Sequence, residues 1–370
     1  MPIADFELTA SQLVAPATMQ AAVYRGQGRV SVEEVPTPEI GPGELLVRVE
    51  ACGICHTDLK KIEYNLLNPP RIYGHETAGV VVQLGSGVRA FQCGDRVVVF
   101  HHIPCLTCFY CRRRNYAQCV TYKKVGVTAG FEPAGGGFSQ YVRVMDWIVE
   151  RGVEKIRDGV TFERACFVEP VNTCLKAVAQ CAPAGDDVVW IIGQGPIGLL
   201  FTMLVHRTGA KIVTTDTFAS RRELSLRCGA MHAWDPRRTN ITEEIRNITA
   251  NRGADLVIVA ASGPAVVEQA IASSRPGARI LLFAQTSGNE RIELSGASIC
   301  VEERTIFGSY SASVDLQKES AELVFNGELP VESLISHKLP LAKIDSAFDL
   351  ALHPNDQSLK IILQPQRCSE

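Results

Sequence analysis

Four cysteines lie close together in the chain, at spacings that suit a metal ion. Cys105, Cys108, Cys111 and Cys119 fall within 15 residues, separated by two, two and seven positions. Four thiolates so placed match the closed tetrahedral shell of a structural zinc ion, whose binding free energy folds the loop that carries it. Ligation of an iron–sulfur cluster is the competing metal interpretation. The spacing therefore predicts a metal-binding lobe over about residues 101–122, called here the cysteine lobe.

A second set of possible metal ligands is spread over more than a hundred residues. Cys55, the adjacent His75 and Glu76, and the distant Glu169 are all of types that bind zinc. A catalytic zinc site uses three protein ligands and leaves a fourth position open for water or a substrate oxygen. Such wide separations do not reveal which side chains meet, and a single histidine is more often a hydrogen-bonded structural residue. The residues alone leave this second site open.

A glycine-rich turn in the second half of the chain has the pattern of a dinucleotide-binding loop. Gly193, Gly195 and Gly198 lie between the apolar run 188–192 and the apolar stretch 199–205. The first glycine allows a tight turn, the second lets the backbone approach a pyrophosphate, and the third lets helix and strand pack closely. The amino terminus of the following helix then faces the anionic phosphates.

The acidic residue that accompanies such a loop is also in place. Asp216 follows the apolar run 211–215 and lies 18 residues past Gly198. A carboxylate there accepts hydrogen bonds from the adenosine ribose hydroxyls and repels a 2′-phosphate, so the sequence predicts NAD rather than NADP. Arg221 and Arg222 weaken that preference, although arginines on such a helix usually form a solvated face.

The elements that must position these residues change character near residue 160. Before it, short valine-rich runs such as 79–83, punctuated by Gly and Pro, are typical of a β-rich domain. After it, apolar runs alternate with helix-length stretches, which predicts a parallel sheet covered on both faces. We therefore expect a β-rich domain over 1–168, a doubly wound α/β domain over 169–308, and a tail over 309–370 that returns to the first domain.

Length, composition and charge exclude several classes of protein. At 370 residues, with 46% hydrophobic and 21% charged residues, the chain is typical of a soluble two-domain protein. A net charge of -3 gives no electrostatic case for nucleic acid or an anionic membrane surface, so Arg112–Arg114 are interpreted as a solvated face of the lobe rather than a nucleic-acid finger. The chain lacks a spanning apolar run and a signal-peptide pattern. We therefore expect a cytoplasmic protein with reduced cysteines.

Taken together, these motifs resemble the zinc-containing medium-chain dehydrogenase/reductase family, which includes alcohol, polyol and threonine dehydrogenases. The motifs that carry the resemblance are Gly53-Ile-Cys-His-Thr-Asp58, Gly74-His-Glu-Thr-Ala-Gly79, Gly94-Asp-Arg-Val97, the cysteine lobe, Glu169-Pro170 and Gly193 to Gly198. The resemblance runs from Met19 to Leu363 and leaves residues 1–18 outside it. It implies a GroES-like β-rich catalytic domain, an inserted Rossmann domain, and a C-terminal segment that completes the catalytic domain.

The resemblance also implies roles for individual residues at the second metal site. Cys55, His75 and Glu169 are expected to bind a catalytic zinc ion, while Glu76 exchanges into the shell and Asp58 orients a ligand. Family members with glutamate as the third ligand resemble the polyol, sugar and threonine branch. In the implied proton relay, Thr57 takes the alcohol proton, and Lys60 replaces the histidine that is usual at the outer end. The remaining implied roles are contacts with the cofactor, and they fall to His56, Thr173, Ile197 and Lys360 together with Gly193, Gly195, Pro196, Gly198, Asp216 and Arg221.

The function implied by the resemblance is transfer of a hydride between a small alcohol and NAD. The alcohol is expected to be a polyol, sugar alcohol, threonine-like or secondary alcohol, and the chain to hold two zinc ions and form a dimer or tetramer. One alternative is a metal-free, NADPH-linked quinone or enone reductase of the same superfamily, against which the metal-ligand set argues. Another is a zinc-stabilised nucleotide-binding protein without catalysis, against which Thr57 and Glu169 argue.

Overall fold

The computed structural model describes residues 13–122, 127–131, 136–284 and 291–367. The chain forms two compact units, and the first contains the described residues up to Asn172, then Ala312–Pro354 and those from Ser358 onward. The second contains Thr173–Ser311 and Asn355–Gln357. The junctions thus lie four residues after the expected boundary at 168 and three after that at 308, and the return of Asn355–Gln357 to the second unit was not expected from the sequence.

The first unit is rich in β-strands, whose valine-rich runs are buried. Its first nine strands are β1 (Thr18–Gly26), β2 (Arg29–Pro36), β3 (Leu45–Gly53), β4 (Arg71–Ile72), β5 (Glu76–Leu84), β6 (Arg96–Phe100), β7 (Val127–Thr128), β8 (Tyr141–Val144) and β9 (Val153–Lys155). The helices of this stretch are α1 (His56–Glu63), α2 (Asp146–Arg151) and α3 (Phe162–Ala165), followed by α4 (Val168–Cys181), which continues into the second unit.

The second unit is a parallel sheet flanked by helices. Its strands are β10 (Val188–Ile192), β11 (Lys211–Thr215), β12 (His232–Trp234), β13 (Ala254–Val259), β14 (Ser274–Leu282) and β15 (Thr305–Gly308), and its helices after α4 are α5 (Pro196–His206), α6 (Ala219–Arg227), α7 (Ile241–Ile248), α8 (Pro264–Ser273) and α9 (Gly296–Cys300). The order β12-β11-β10-β13-β14-β15, with every pair parallel, is that of the Rossmann fold. The expected doubly wound sheet is confirmed.

The tail adds α10 (Gln317–Phe325), β16 (Ile335–Pro340), α11 (Ile344–Leu352) and β17 (Lys360–Gln364). Strand β17 pairs antiparallel with β3, placing Ile362 opposite Gly53. The large sheet of the first unit therefore runs β16-β17-β3-β5-β6-β9, with β8 also paired to β3 and β7 to β8, while β2-β1-β4 form a smaller sheet. Among the described residues, no helix has the length and apolar character needed to cross a membrane.

Candidate metal and cofactor sites

The register of β3, β5 and β6 brings several chemical groups to one end of the large sheet. Gly53, the last residue of β3, lies opposite Glu76, the first of β5. Glu76 in turn lies opposite Phe100, the last residue of β6. Because the strands are antiparallel, the residues just after β3, just before β5 and just after β6 meet. These are Cys55, His75 and His101.

Cys55 stands between β3 and α1 as the residue that caps the helix. Its backbone is extended, and its Sγ accepts a hydrogen bond from the backbone N–H of Thr57 at 3.4 Å. This bond fixes the direction of the sulfur. His56, the first helical residue, is exposed, while Thr57 and Lys60 are half-buried.

His75 is held by a carboxylate from α1. Its Nδ1 lies 3.0 Å and 2.9 Å from the two carboxylate oxygens of Asp58, whose side chain is fully buried. Burial opposes protonation of the ring, but the nearby Asp58 and Cys55 outweigh it, so the pKa of His75 is raised well above its ordinary value. An imidazole bound to a carboxylate through one nitrogen presents the other to a metal ion in a fixed orientation.

Cys55, His75 and Glu76 form what we call the mixed-ligand group. One ligand atom from each lies within 4.8 Å of the other two. Donors around one zinc ion lie about 3–4 Å apart, because zinc–ligand bonds are about 2.0–2.3 Å long. Thiolate, imidazole and carboxylate are all zinc donors, so the group suits a zinc ion that keeps a further position open.

Glu169, the expected third ligand, is buried near the start of α4 but is not part of the mixed-ligand group. Burial raises the pKa of its carboxyl to about 7; His75 opposes this rise and Glu76 adds to it. The carboxyl is thus in the field of the same residues. The structure brings Glu76 rather than Glu169 together with Cys55 and His75, and ligation by Glu169 stays a prediction.

Glu76 has a partner that the sequence analysis did not foresee. The Nζ of Lys360, the first residue of β17, contacts the Glu76 carboxylate and donates to the Ile54 carbonyl at 3.1 Å. Both side chains are almost fully buried. A Cβ at Gly53 would lie 1.9 Å from the Glu76 carboxylate, so only glycine leaves room for this pair. Lys360, expected at the cofactor pyrophosphate, lies against Glu76 in this structure.

Two further histidines, not singled out from the sequence, form a row that begins beside His75. The ring centroid of His101 is 4.8 Å from that of His75, and His102 is 4.1 Å from His101. His102 in turn lies 5.1 Å from Tyr122, at the end of the cysteine lobe. A line of rings therefore joins the two metal-binding regions. The only sequence signal was the position of the histidine pair, directly after β6 and just before Cys105.

The cysteine lobe brings its four sulfurs together as its spacing predicts. All four lie within 4.8 Å of one another. The Cys105 and Cys108 sulfurs are 3.9 Å and 3.5 Å from that of Cys111, too far for a disulfide of about 2.05 Å. Backbone N–H groups also point at the sulfurs, since Cys105 donates to Cys119 Sγ at 3.3 Å and Cys108 to Cys105 Sγ at 3.4 Å.

The sulfurs of the lobe differ in how readily they ionise. A hydrogen bond from Thr107 lowers the pKa of Cys105 to about 5, while burial raises that of Cys111 to about 12. Four adjacent thiolates repel one another, and a divalent cation that bonds them all keeps all four ionised. The residues present therefore fit a structural zinc ion.

Two arginines of the cysteine lobe, Arg113 and Arg114, make contacts with other residues of the first unit. Arg114 pairs with Asp315 of the tail at 2.9 Å, and the Tyr116 hydroxyl donates to the same carboxylate at 3.0 Å. The Arg113 guanidinium lies 3.8 Å from the centre of the Phe109 ring. These contacts agree with a structural surface rather than a nucleic-acid finger.

In the second unit, the glycine loop has the geometry that its residues predict. Gly193 has a φ of 87°, which favours glycine, and Gly195 caps α5, whose first residue is Pro196. A Cβ at Gly198 would lie 1.9 Å from the Gly193 carbonyl oxygen, so the helix can pack this closely only with glycine. Ile197, in the first turn of α5, is half-buried, as is Thr173 on α4.

Asp216 is buried at the end of β11 and bound to the loop. Its carboxylate accepts hydrogen bonds from the backbone N–H of Gln194 at 2.7 Å and of Phe218 at 2.8 Å. The Arg221 guanidinium lies over the Phe218 ring at 4.6 Å, and its Nη1 would be 3.9 Å from a Cβ at Gly195. The expected ribose-binding residues therefore stand beside the expected phosphate loop.

Comparisons with known proteins agree with both units. The alcohol dehydrogenase GroES-like domain matches residues 41–152, and the zinc-binding dehydrogenase domain matches 196–326. Sorbitol dehydrogenase of Bacillus subtilis (strain 168) is 30% identical over 358 residues, covering 95% of this chain and 99% of that protein. L-Threonine 3-dehydrogenase of Pyrococcus horikoshii is 31% identical over 325 residues, covering 86% and 90% respectively.

A solved structure described as a zinc-binding dehydrogenase of Sinorhizobium meliloti 1021, bound to NADP, superposes with a TM-score of 0.85 at 28% identity. It covers 95% of this chain and 100% of the other. The chain therefore belongs to the zinc-containing medium-chain alcohol/polyol dehydrogenase family, as its motifs indicated. It combines the GroES-like and Rossmann-type domains of that family of oxidoreductases.

Proposed function

We propose that this protein is a zinc-dependent dehydrogenase that transfers a hydride between a small alcohol and NAD. The observation that carries the proposal is the convergence of Cys55, His75 and Glu76 to within 4.8 Å. The substrate class is a polyol, sugar alcohol, threonine-like or other secondary alcohol. The names of the two relatives, a sorbitol and an L-threonine dehydrogenase, support that range.

The zinc sites are assigned to the two clusters. Cys55, His75 and a carboxylate from Glu169 or Glu76 would hold the catalytic ion, and the four cysteines of the lobe a structural one. When bound, the catalytic ion supplies Lewis-acid polarisation of the alcohol oxygen. Asp58 holds the His75 ring in position through Nδ1, and Lys360 neutralises Glu76 when that carboxylate is not a ligand.

Proton movement is assigned to α1. The Thr57 hydroxyl, two residues beyond Cys55 and half-buried, takes the proton of the alcohol. Lys60 lies three residues further along the same helix, at the outer position of the relay. A hydroxyl at the metal site is the proton carrier such a reaction needs, and a protein that only bound nucleotide would have no use for it.

The cofactor is assigned from the second unit. NAD would itself accept the hydride, so the redox chemistry belongs to the cofactor rather than to the protein. Gly193, Gly195 and Gly198 would lie against the pyrophosphate, and Asp216 would accept hydrogen bonds from the ribose hydroxyls. The Sinorhizobium meliloti structure holds NADP, so the preference for NAD depends on the Asp216 carboxylate of this chain.

The test is metal content together with turnover for the purified protein and for Cys55→Ser and His75→Ala. We expect two zinc ions per chain, falling to one in either variant, with turnover reduced about a thousandfold, as loss of several kcal/mol of Lewis-acid stabilisation predicts. NAD binding should stay within about twofold. The matched control is Cys300→Ser, a change at an exposed cysteine outside both clusters.

Turnover is measured as NADH formation over a panel of polyols, L-threonine, and primary and secondary alcohols, with NADP alongside NAD. Unchanged zinc content or full activity in the Cys55 or His75 variant would contradict the metal role. A chain without zinc would favour the metal-free reductase.

A further inference from the structure

A short segment of the tail, Asn355–Gln357, caps the amino end of α6. The Asp356 carboxylate accepts a hydrogen bond from the backbone N–H of Ser220 at 3.1 Å, and the Ser220 Oγ lies 3.0 Å from the same oxygen and 2.5 Å from the Asp356 carbonyl oxygen. Ser220 is the second residue of α6, and Phe218, which precedes the helix, supplies no side-chain cap. The cap comes instead from 136 residues away.

This placement puts a carboxylate next to the arginines that follow β11. Arg221 stands in the field of two carboxylates, Asp216 and Asp356, whose attraction opposes the effect of its burial. Arg222 and Arg237 both face Asp235, at 3.6 Å and 2.8 Å. Each of these three arginines therefore has an acidic neighbour.

An arginine close to the ribose-binding carboxylate is the group that accommodates the 2′-phosphate of NADP in Rossmann folds. Arg221 has that position here, because its guanidinium lies over the ring of Phe218, whose backbone N–H donates to Asp216, and close to Gly195 of the glycine loop. A guanidinium binds phosphate strongly when it can direct a pair of N–H groups at it. Because Asp356 is bonded to Ser220, the residue before Arg221, and Asp216 lies in the same region, Arg221 has less net attraction to offer a third anion.

We propose that Asp356 is a specificity-determining residue, which acts through Arg221 to disfavour nucleotides with a 2′-phosphate. The inference rests on the proposed use of NAD and adds to Asp216 a second determinant, supplied by the tail. It assigns a function to the return of Asn355–Gln357 to the second unit. Asp356 is exposed, so its substitution does not disturb a core.

The test is the Asp356→Asn variant, in which an amide oxygen still accepts from Ser220 but the charge is gone. Dissociation constants are measured by calorimetry for NAD, NADP, ADP and adenosine 2′,5′-bisphosphate. We expect the variant to bind NADP and the bisphosphate about three- to tenfold more tightly. Removing the negative charge of Asp356 removes a repulsion of this size from the 2′-phosphate, because solvent partly screens the interaction between the two charges. Binding of NAD and ADP should change less than about twofold.

The matched control is Asp349→Asn, the same change at an exposed residue of α11 that pairs with His353. It should leave all four constants unchanged. The Arg221→Ala background completes a double-mutant cycle, which isolates the coupling between the two residues. If Asp356 acts through Arg221, the gain in affinity for 2′-phosphates disappears in that background.

The outcomes separate this inference from the proposed function. A wild-type chain that binds NADP more tightly than NAD contradicts the proposed cofactor, while the shift caused by Asp356→Asn still decides the inference. An unchanged ratio of NADP to NAD affinity in Asp356→Asn overturns the role of Asp356. An equal gain in the Arg221→Ala background overturns its action through Arg221.

Discussion

The cysteine lobe and the mixed-ligand group offer a metal ion similar donors but assemble them along very different lengths of chain. The lobe draws four sulfurs from 15 consecutive residues and orients them with its own backbone N–H groups. The mixed-ligand group draws on the ends of β3 and β5, an aspartate from α1 and a lysine from β17. The first site depends on local structure, and the second on the register of a sheet.

This difference has a physical consequence. In the lobe, backbone N–H groups offset only part of the repulsion among four thiolates, so a bound metal ion would supply most of the opposing charge, and the cluster of buried residues around the lobe is small. The mixed-ligand group rests on the large core of the first unit and carries internal counter-charges, because Asp58 faces His75 and Lys360 faces Glu76. We therefore expect metal loss to unfold the lobe locally but to leave the framework of the mixed-ligand group intact.

The largest expected effect is that of Cys108→Ser on stability. Removing one of four thiolates weakens a metal whose binding free energy folds the lobe, and we expect the free energy of unfolding to fall by about 3 kcal/mol. Turnover per chain with catalytic zinc should change less than about threefold. Thermal denaturation with and without a chelator checks this, with Cys93→Ser, at an exposed cysteine outside both clusters, as the control.

Full thermal stability of Cys108→Ser would show that the lobe folds without its metal, and the contrast between the two sites would fail. A large loss of turnover at unchanged stability would also contradict the contrast, because the lobe would then matter for catalysis rather than for stability. The lobe would then be part of the chemistry, which the line of rings from Tyr122 through His102 and His101 to His75 makes geometrically possible.

The same contrast explains what the sequence could predict. The four cysteines and the glycine loop are local patterns, and each was found from its spacing alone. The alternation of apolar runs with helices likewise predicted the parallel sheet, because period and length are local properties. For the mixed-ligand group, the residue types were visible but their meeting was not, and only the resemblance to a family pointed to it.

What the sequence could not predict depends on contacts across the fold. The pairing of Glu76 with Lys360 requires β17 to lie beside β3. No local sequence pattern around either residue indicates this pairing. Asp216 was expected to face a ribose, but its bond from the backbone N–H of Gln194 depends on the tight turn after β10, which lies 22 residues earlier in the chain. The cap that Asp356 places on α6 also has no sequence signal, because its partner is 136 residues distant.

An intermediate effect is expected for Asp58→Asn, which probes the preorganisation of the mixed-ligand group. The amide cannot match the charge of the carboxylate that holds the His75 ring, and loss of such a partner lowers metal affinity by about 10- to 100-fold. Zinc competition with a chelator measures this loss, and turnover at saturating zinc measures any further one. The lobe metal should be retained.

The chain offers a matched control for this change in Asp349→Asn. Asp349 also pairs with a histidine at 2.9 Å, but both side chains are about three-quarters exposed, whereas Asp58 and His75 are buried. An exposed pair is screened by water and contributes little. Zinc affinity that fell equally in both variants, or in neither, would refute the idea that burial of the Asp58–His75 pair prepares the site.

The smallest effect is expected for Asp315→Asn, which tests how firmly the lobe is attached to the tail. Asp315 accepts from both Arg114 and Tyr116, but the Arg114 side chain is 77% exposed, so its ion pair is largely screened. We expect less than about 1 kcal/mol of destabilisation, with both zinc ions retained. Hydrogen exchange at the amides of residues 105–119 should quicken in the variant, while exchange in β3 and β5 stays unchanged. Equal acceleration in the strands would mean that the lobe and the large sheet open as one unit, and that local and distributed metal sites are not separable in this protein.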